Sequence, residues 1–195
     1  MITKRQFIEL LQNRLAGGDA VTDVRKQFPL PVISRVLNFV FADVVVNNDI
    51  AASDMAIEYE FDVQFDSFGY YVEVYPQPIA GSQSIYTIED DKTSYNIQDK
   101  NLAKAIKTLR GSNKNGAIYF AHKIRFNQQP TGKVRVTQVP NLYQMKDDDI
   151  LISAESGDTM ESKIFQTCMQ LLTSPQYQDE LNNNNIDAQN ARQNN

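Results

Sequence analysis

A chain of 195 residues, 42% of them hydrophobic, has material for one domain, or one domain with a small appendage. Its formal net charge of −5 argues against a protein that lives on nucleic-acid phosphates, whose affinity comes from clustered Lys and Arg. A single cysteine, Cys168, excludes an internal disulfide framework and any cysteine-built zinc cage.

At the start of the chain, Lys4 and Arg5 lead into an amphipathic pattern and not an apolar run. The expectation is therefore an intracellular protein without a signal peptide. Thr3 with Gln6 matches a capping box, in which each residue satisfies the other's orphan N–H at a helix start. Phe7, Leu10, Leu11 and Leu15 follow on one face, and Gly17-Gly18 supplies the positive φ of a C-cap. Asp19 caps a second, short helix carrying Val21, Val24 and Phe28.

Pro29 and Pro31 break that helix and launch the most apolar stretch of the chain, residues 31–46. Ile33, Val36, Leu37, Val40 and Val44 share one helical face. Val32, Phe39, Phe41 and Val45 widen it, and Asn47, Asn48 and Asp49 stop it. A helix this apolar is enclosed by protein. It reads as too short and too interrupted to cross a bilayer, which takes roughly 20 apolar residues. Two roles follow from this, the centre of a core or a subunit contact through Val32, Val36, Phe39 and Val40. The rhythm of 24–39 also matches a helix-turn-helix. A recognition helix needs polar residues at its N-terminal face, and here Pro31, Val32 and Ile33 leave Arg35 alone.

After residue 50 the period changes from helical to two. Ile57, Tyr59, Phe61, Val63 and Phe65 alternate with Glu58, Glu60, Asp62 and Gln64, which predicts one strand over 57–65. The turn 66–69 returns it to a hairpin partner at 70–75. Its acidic face, Glu58 and Glu60, is either plain solvated surface or a stripe that meets a basic neighbour. Short strands are expected at 85–88 and 93–97. Asp99 then caps an inserted helix over 100–110, whose outer face carries Lys104, Lys107 and Arg110. Strands are predicted at 117–126 and 133–139, joined by a turn at 127–132, with a last apolar run at 150–152. Asp158 with Glu161 caps a closing helix over 158–174. The chemistry is thin throughout. His122 is the only histidine and falls on a strand face. Two acidic clusters, at 89–91 and 147–149, lack the spacing and the glycine of a calcium loop, and no glycine loop can cradle a phosphate.

The expected fold class is α+β. It comprises an N-terminal helical bundle (1–50), an antiparallel β region with the inserted helix 100–110 (51–157), the closing helix (158–174) and a disordered polar tail (175–195). Its residues 182–195 have almost no apolar content and cannot offset their ordering entropy alone.

The order of elements after Tyr119 resembles a known family. A strand runs to Arg125-Phe126, a turn spans 129–132, and a second strand runs from Val134 to Val139. Pro140-Asn141-Leu142-Tyr143, the acidic 147–149 and a helix ending in Leu171-Leu172 follow. This is similar to the β-hairpin, linker and closing helix of tailed-phage head-to-tail connector proteins, the adaptor or ring proteins below the portal. The opening 7–19, with the helix ending in Phe41-Ala42-Asp43-Val44, resembles structural proteins of crAss-like phages. The resemblance implies a non-enzymatic virion protein with no cofactor and no membrane partner, made in the host cytoplasm. It would form a ring, commonly twelve-fold, with copies of itself between portal and neighbouring tail or ring proteins, around a passage that DNA crosses without specific binding. Two alternatives stay open from the residues. One is a helix-turn-helix regulator with a β dimerisation domain; the other is a metal-dependent enzyme or accessory subunit using the acidic clusters.

Overall fold

The computed structural model describes residues 2–17, 28–47, 55–97, 115–152 and 157–174, the last element's first four residues by backbone alone. The second short helix at 19–27, the inserted helix 100–110 with Lys104, Lys107 and Arg110, and the tail 175–195 lie outside the described residues. The chain is mixed α+β, with three helices and antiparallel sheets among the described residues. It divides into two compact units. One comprises residues 1–40 and 147–195, the other 41–146.

In the first unit, helix α1 (Lys4–Ala16) starts as its sequence dictates. Thr3 Oγ1 accepts from the Gln6 N–H at 3.2 Å, and the Thr3 N–H donates back to Gln6 Oε1 at 3.0 Å. Gly17 closes the helix at φ 57°, a left-handed conformation that costs glycine nothing. The buried stripe runs through Phe7, Ile8, Leu11 and Ala16, which leaves Leu10 at its edge, 44% exposed. A strand missed in the sequence, β1 (Ile2–Thr3), pairs antiparallel with β10 (Ile150–Ile152). That pairing brings the acidic loop to the start of α1. The orphan N–H groups of Lys4 and Arg5 donate to the carbonyls of Asp149 and Asp147, at 3.1 and 2.9 Å. Helix α3 (Gly157–Thr173) buries Ile164, Cys168 and Leu172, and its Phe165 meets Phe7 edge-on at 6.1 Å. Asp158 lies inside this helix, not before it as a cap.

The second unit packs two sheets around one core. The three-stranded sheet has the order β2 (Ile57–Phe61), β9 (Val134–Gln138), β5 (Ile85–Glu89). The five-stranded sheet has the order β3 (Gln64–Asp66), β4 (Gly69–Glu73), β8 (Lys123–Phe126), β7 (Gly116–Phe120), β6 (Asn96–Ile97). Ile85, Ile88, Val134 and Val136 of the first meet Val72, Ala117, Ile124 and Phe126 of the second. All neighbouring strands are antiparallel except β6 and β7, which are parallel.

Three expectations change here. The run 57–65 is not one strand. It breaks at Asp62 and Val63, and β2 pairs with β9 while only β3 forms the hairpin with β4. The run 117–126 is not one strand either. Ala121 and His122 take φ of 48° and 66°, a tight turn, and β7 folds back on β8. The Val74 N–H donates to the His122 carbonyl at 2.9 Å and fixes the turn from the neighbouring strand, so His122 is an exposed turn residue. Finally, 127–132 is not a hairpin turn, because β8 and β9 belong to different sheets and the segment crosses between them. Gly132 sits in it at φ 74°, where a Cβ would run into the Asp91 carboxylate.

Candidate interaction surfaces

The β3–β4 hairpin presents the barest aromatic surface among the described residues. Phe65 is 68% exposed and Phe68 74%. Neither ring is loosely held. Phe65 packs on Tyr70 with ring centroids 5.0 Å apart. Asp66 Oδ1 accepts from the Phe68 N–H at 2.8 Å, which closes the turn. Arg125 grips the same carboxylate with both terminal nitrogens, at 2.8 and 2.7 Å, and its guanidinium lies 5.4 Å from the Phe68 ring. That guanidinium holds the Asp66 carboxyl down at about 2. Sequence reading missed this site because it credited Phe65 to the core by alternation. The available signal was Phe68, a large aromatic inside a four-residue turn, where solvent is hard to avoid.

A second surface is the outer face of the three-stranded sheet. Glu58 stands opposite Thr137, and Glu60 opposite Arg135. Glu89 of β5 also faces Arg135, from the other side. The hydroxyls of Thr87 and Thr137 lie 2.8 Å apart, and Lys133 Nζ is 3.6 Å from Glu60. Glu58 and Glu60 are both exposed. Their predicted basic counterparts, Lys104, Lys107 and Arg110, fall outside the described residues.

Helix α2 (Leu30–Asn47) divides the four residues proposed for a contact. Val36 and Val40 are 3% and 1% exposed, Val32 is half-buried, and Phe39 stands 61% exposed. Phe39 therefore does not widen the buried face. With Val46, 53% exposed, it forms a separate apolar edge on the opposite side. At 18 residues with a mean hydropathy of 1.5, the helix is long and apolar enough by composition to cross a membrane, against the expectation that it is too short. Its enclosed face (Ile33, Val36, Leu37, Val40, Phe41, Val44 and Val45) is that of a core helix.

The polar clusters are occupied within the chain. Asp147 and Asp148 pair with Lys4 and Arg5, both at 3.4 Å. Asp90 is buried at 4% exposure and takes four donors. Lys92 and Thr93 N–H reach Oδ1 at 2.8 and 2.7 Å, and the Tyr95 hydroxyl and Thr131 N–H reach Oδ2 at 2.6 and 2.8 Å. Among the described residues, no three His, Cys, Asp or Glu side chains converge as metal ligands. Cys168 is fully buried, and desolvation pushes its thiol up to about 12. A thiol-specific reagent at neutral pH should leave Cys168 unmodified in the native protein and modify it fully in denaturant. Rapid native labelling would mean that the α1–α3 packing opens readily.

No protein-family model matches the chain, and no curated protein matches it.

Proposed function

We propose that this chain is a structural subunit of a tailed bacteriophage, a ring protein between portal and tail that encloses the DNA passage. The observation that carries the reading is the β3–β4 hairpin. Two bare phenylalanines on a turn braced by a bidentate ion pair are costly for a solitary protein and suited to an assembling one. Interfaces draw most of their energy from a few aromatic anchors, and anchors already fixed in place lose little entropy on docking. A closed ring also needs two different patches on each subunit, because its contacts are heterologous. The aromatic hairpin and the charged outer sheet face are two such patches, the first built on β3 and β4 and braced from β8, the second built on β2, β9 and β5.

The double variant Phe65→Ser, Phe68→Ser tests this. Both rings are largely in solvent, so the melting temperature should stay within a few degrees of the parent. The amount of the protein in purified particles, measured by quantitative mass spectrometry, should fall at least about tenfold, since each lost anchor is worth about 1–2 kcal/mol or more. Full incorporation of the variant would remove the hairpin from the interface. Absence of the parent protein from particles would end the connector reading.

A further inference from the structure

We propose that the tip of the β3–β4 hairpin, Phe68 with Ser67, seats in a cleft on the first unit of a second copy of this chain, between helix α1 and the start of α2. The inference rests on the assembly reading and supplies the receptor for its hairpin. The cleft has a volume of about 440 Å³. A cavity of roughly 150 Å³ already takes a benzene ring, so a phenyl group and the serine beside it both find room. Ile8 of α1, with Pro29 and Leu30 where α2 begins, gives the cleft apolar walls, and charged side chains form its rim. All of its lining belongs to the first unit.

Gln12 sets this cleft apart. It lines the cleft at 5% exposure, yet among the described residues its amide makes no hydrogen bond. A buried amide is seldom left without a partner, and one that opens into a cleft is a ready donor and acceptor for whatever docks there. The hairpin tip carries the matching groups. Phe68 is 74% exposed on a turn fixed by Asp66 and Arg125. Ser67, also exposed, precedes it with a hydroxyl and a carbonyl. A bare ring beside one hydrogen-bonding residue is the counterpart of apolar walls beside one amide.

The ring reading places the receptor on this same chain. In a ring of identical subunits each contact joins two different patches of one sequence. The charged sheet face is a poor seat for a phenyl ring, which would strip water from Glu58 and Glu60 without replacing its hydrogen bonds. A second cleft of about 430 Å³, on a neighbouring face of α1, is lined by Ile2, Gln6, Leu10 and Asn13. Both of its amides, Gln6 and Asn13, are exposed to water and need no docking partner. Phe68 in the Gln12 cleft of the next copy is a head-to-tail contact, as a ring requires.

The test places a photoreactive benzophenone amino acid at Phe68 of the ordinary full-length protein and mixes it with unsubstituted ¹⁵N-labelled protein. Irradiation joins the benzophenone to whatever it touches. The expected product links position 68 of the light chain to heavy peptides holding residues 5–12 or 29–30. Links to other heavy peptides, links confined to light chains, or no links at all overturn the proposal. Two variants of the heavy protein give an independent check. Leu30 is 57% exposed, so Leu30→Asp should fold as the parent does while its charge in the wall lowers linking at least about tenfold. Gln12→Leu removes the amide that meets the serine and should lower linking about fivefold. Its melting temperature should hold or rise, because an apolar side chain replaces a buried group without a partner. Unchanged linking with either variant overturns the contact. A protein that gives these links yet is missing from particles keeps this contact and loses the connector reading. A protein abundant in particles, whose probe at Phe68 links there only to a different protein, keeps the connector reading and loses this contact.

Discussion

Val40→Asp is expected to lower stability by about 3 kcal/mol or more, because it places a carboxylate in an apolar site 1% exposed. For a chain of this length that corresponds to a melting temperature lower by roughly 6–12 °C. The internal control is Phe39→Asp on the same helix. Phe39 is 61% exposed, so its replacement should cost no more than about 0.5 kcal/mol. Urea unfolding of the two variants beside the parent decides the matter. Equal effects would show that α2 is not seated by the face assigned to it.

The second large effect is expected at Asp90. Its carboxylate holds together two crossings between the sheets, the turn 90–93 that leads from β5 toward β6 and the segment 127–133 that leads from β8 to β9. Burial alone would raise its pKa. Donation from Tyr95, Thr131, Lys92 and Thr93 outweighs burial and holds it below the usual carboxylate value. Asp90→Asn keeps the shape but turns an NH₂ toward two of those donors, at a cost of about 2–3 kcal/mol. Tyr95→Phe removes one of the four hydrogen bonds and should cost about half as much. The sign of the acid dependence follows. A carboxyl whose folded pKa is depressed contributes fully above its unfolded value of about 3.9, and the contribution drains away as pH falls through the folded pKa. The stability of the parent should drop steeply below about pH 4, and that of Asp90→Asn less so, with a remainder from Asp66, held at about 2 by Arg125. If Asp90→Asn costs no more than Tyr95→Phe, the carboxylate is not the clasp described.

What could be read from the residues was local. The Thr3–Gln6 capping box, the Gly17 terminator, the apolar face of α2 and the presence of most strands each depend on a few neighbours in sequence, and each has its physical cause there. Strand partners do not. Alternation continues through 57–65 because Val63 still faces the core when the chain passes from one sheet to the other, so the period shows no break where the pairing changes. The turn at Ala121 and His122 carries no glycine, asparagine or aspartate to announce it, and the hydrogen bond that meets it comes from Val74, distant in sequence. The hairpin that supported the family resemblance, 119–126 returning through 134–139, failed for the same reason, since pairing across sheets is a property of the whole unit. Phe39 was legible and was misjudged. At 100° per residue it lies about 200° around the helix from Leu37, on the opposite side from the core, and its hydrophobicity was counted ahead of its direction. The aromatic hairpin was half legible, as an exposed Phe68 with no hint of the Arg125 brace.

The position of β9 at the centre of its sheet sets a timetable for synthesis. Strands β2 and β5 leave the ribosome long before Val134–Gln138, yet neither is hydrogen-bonded to the other, and both wait for the strand that joins them. The first unit waits longer, since β1 at the start of the chain finds its partner in Ile150–Ile152. Contacts so distant in sequence close slowly and late. A nascent chain halted before Val134 therefore offers unpaired strands and a bare apolar face to its neighbours, which favours holding by a chaperone or clearance by proteolysis over admission to an assembly.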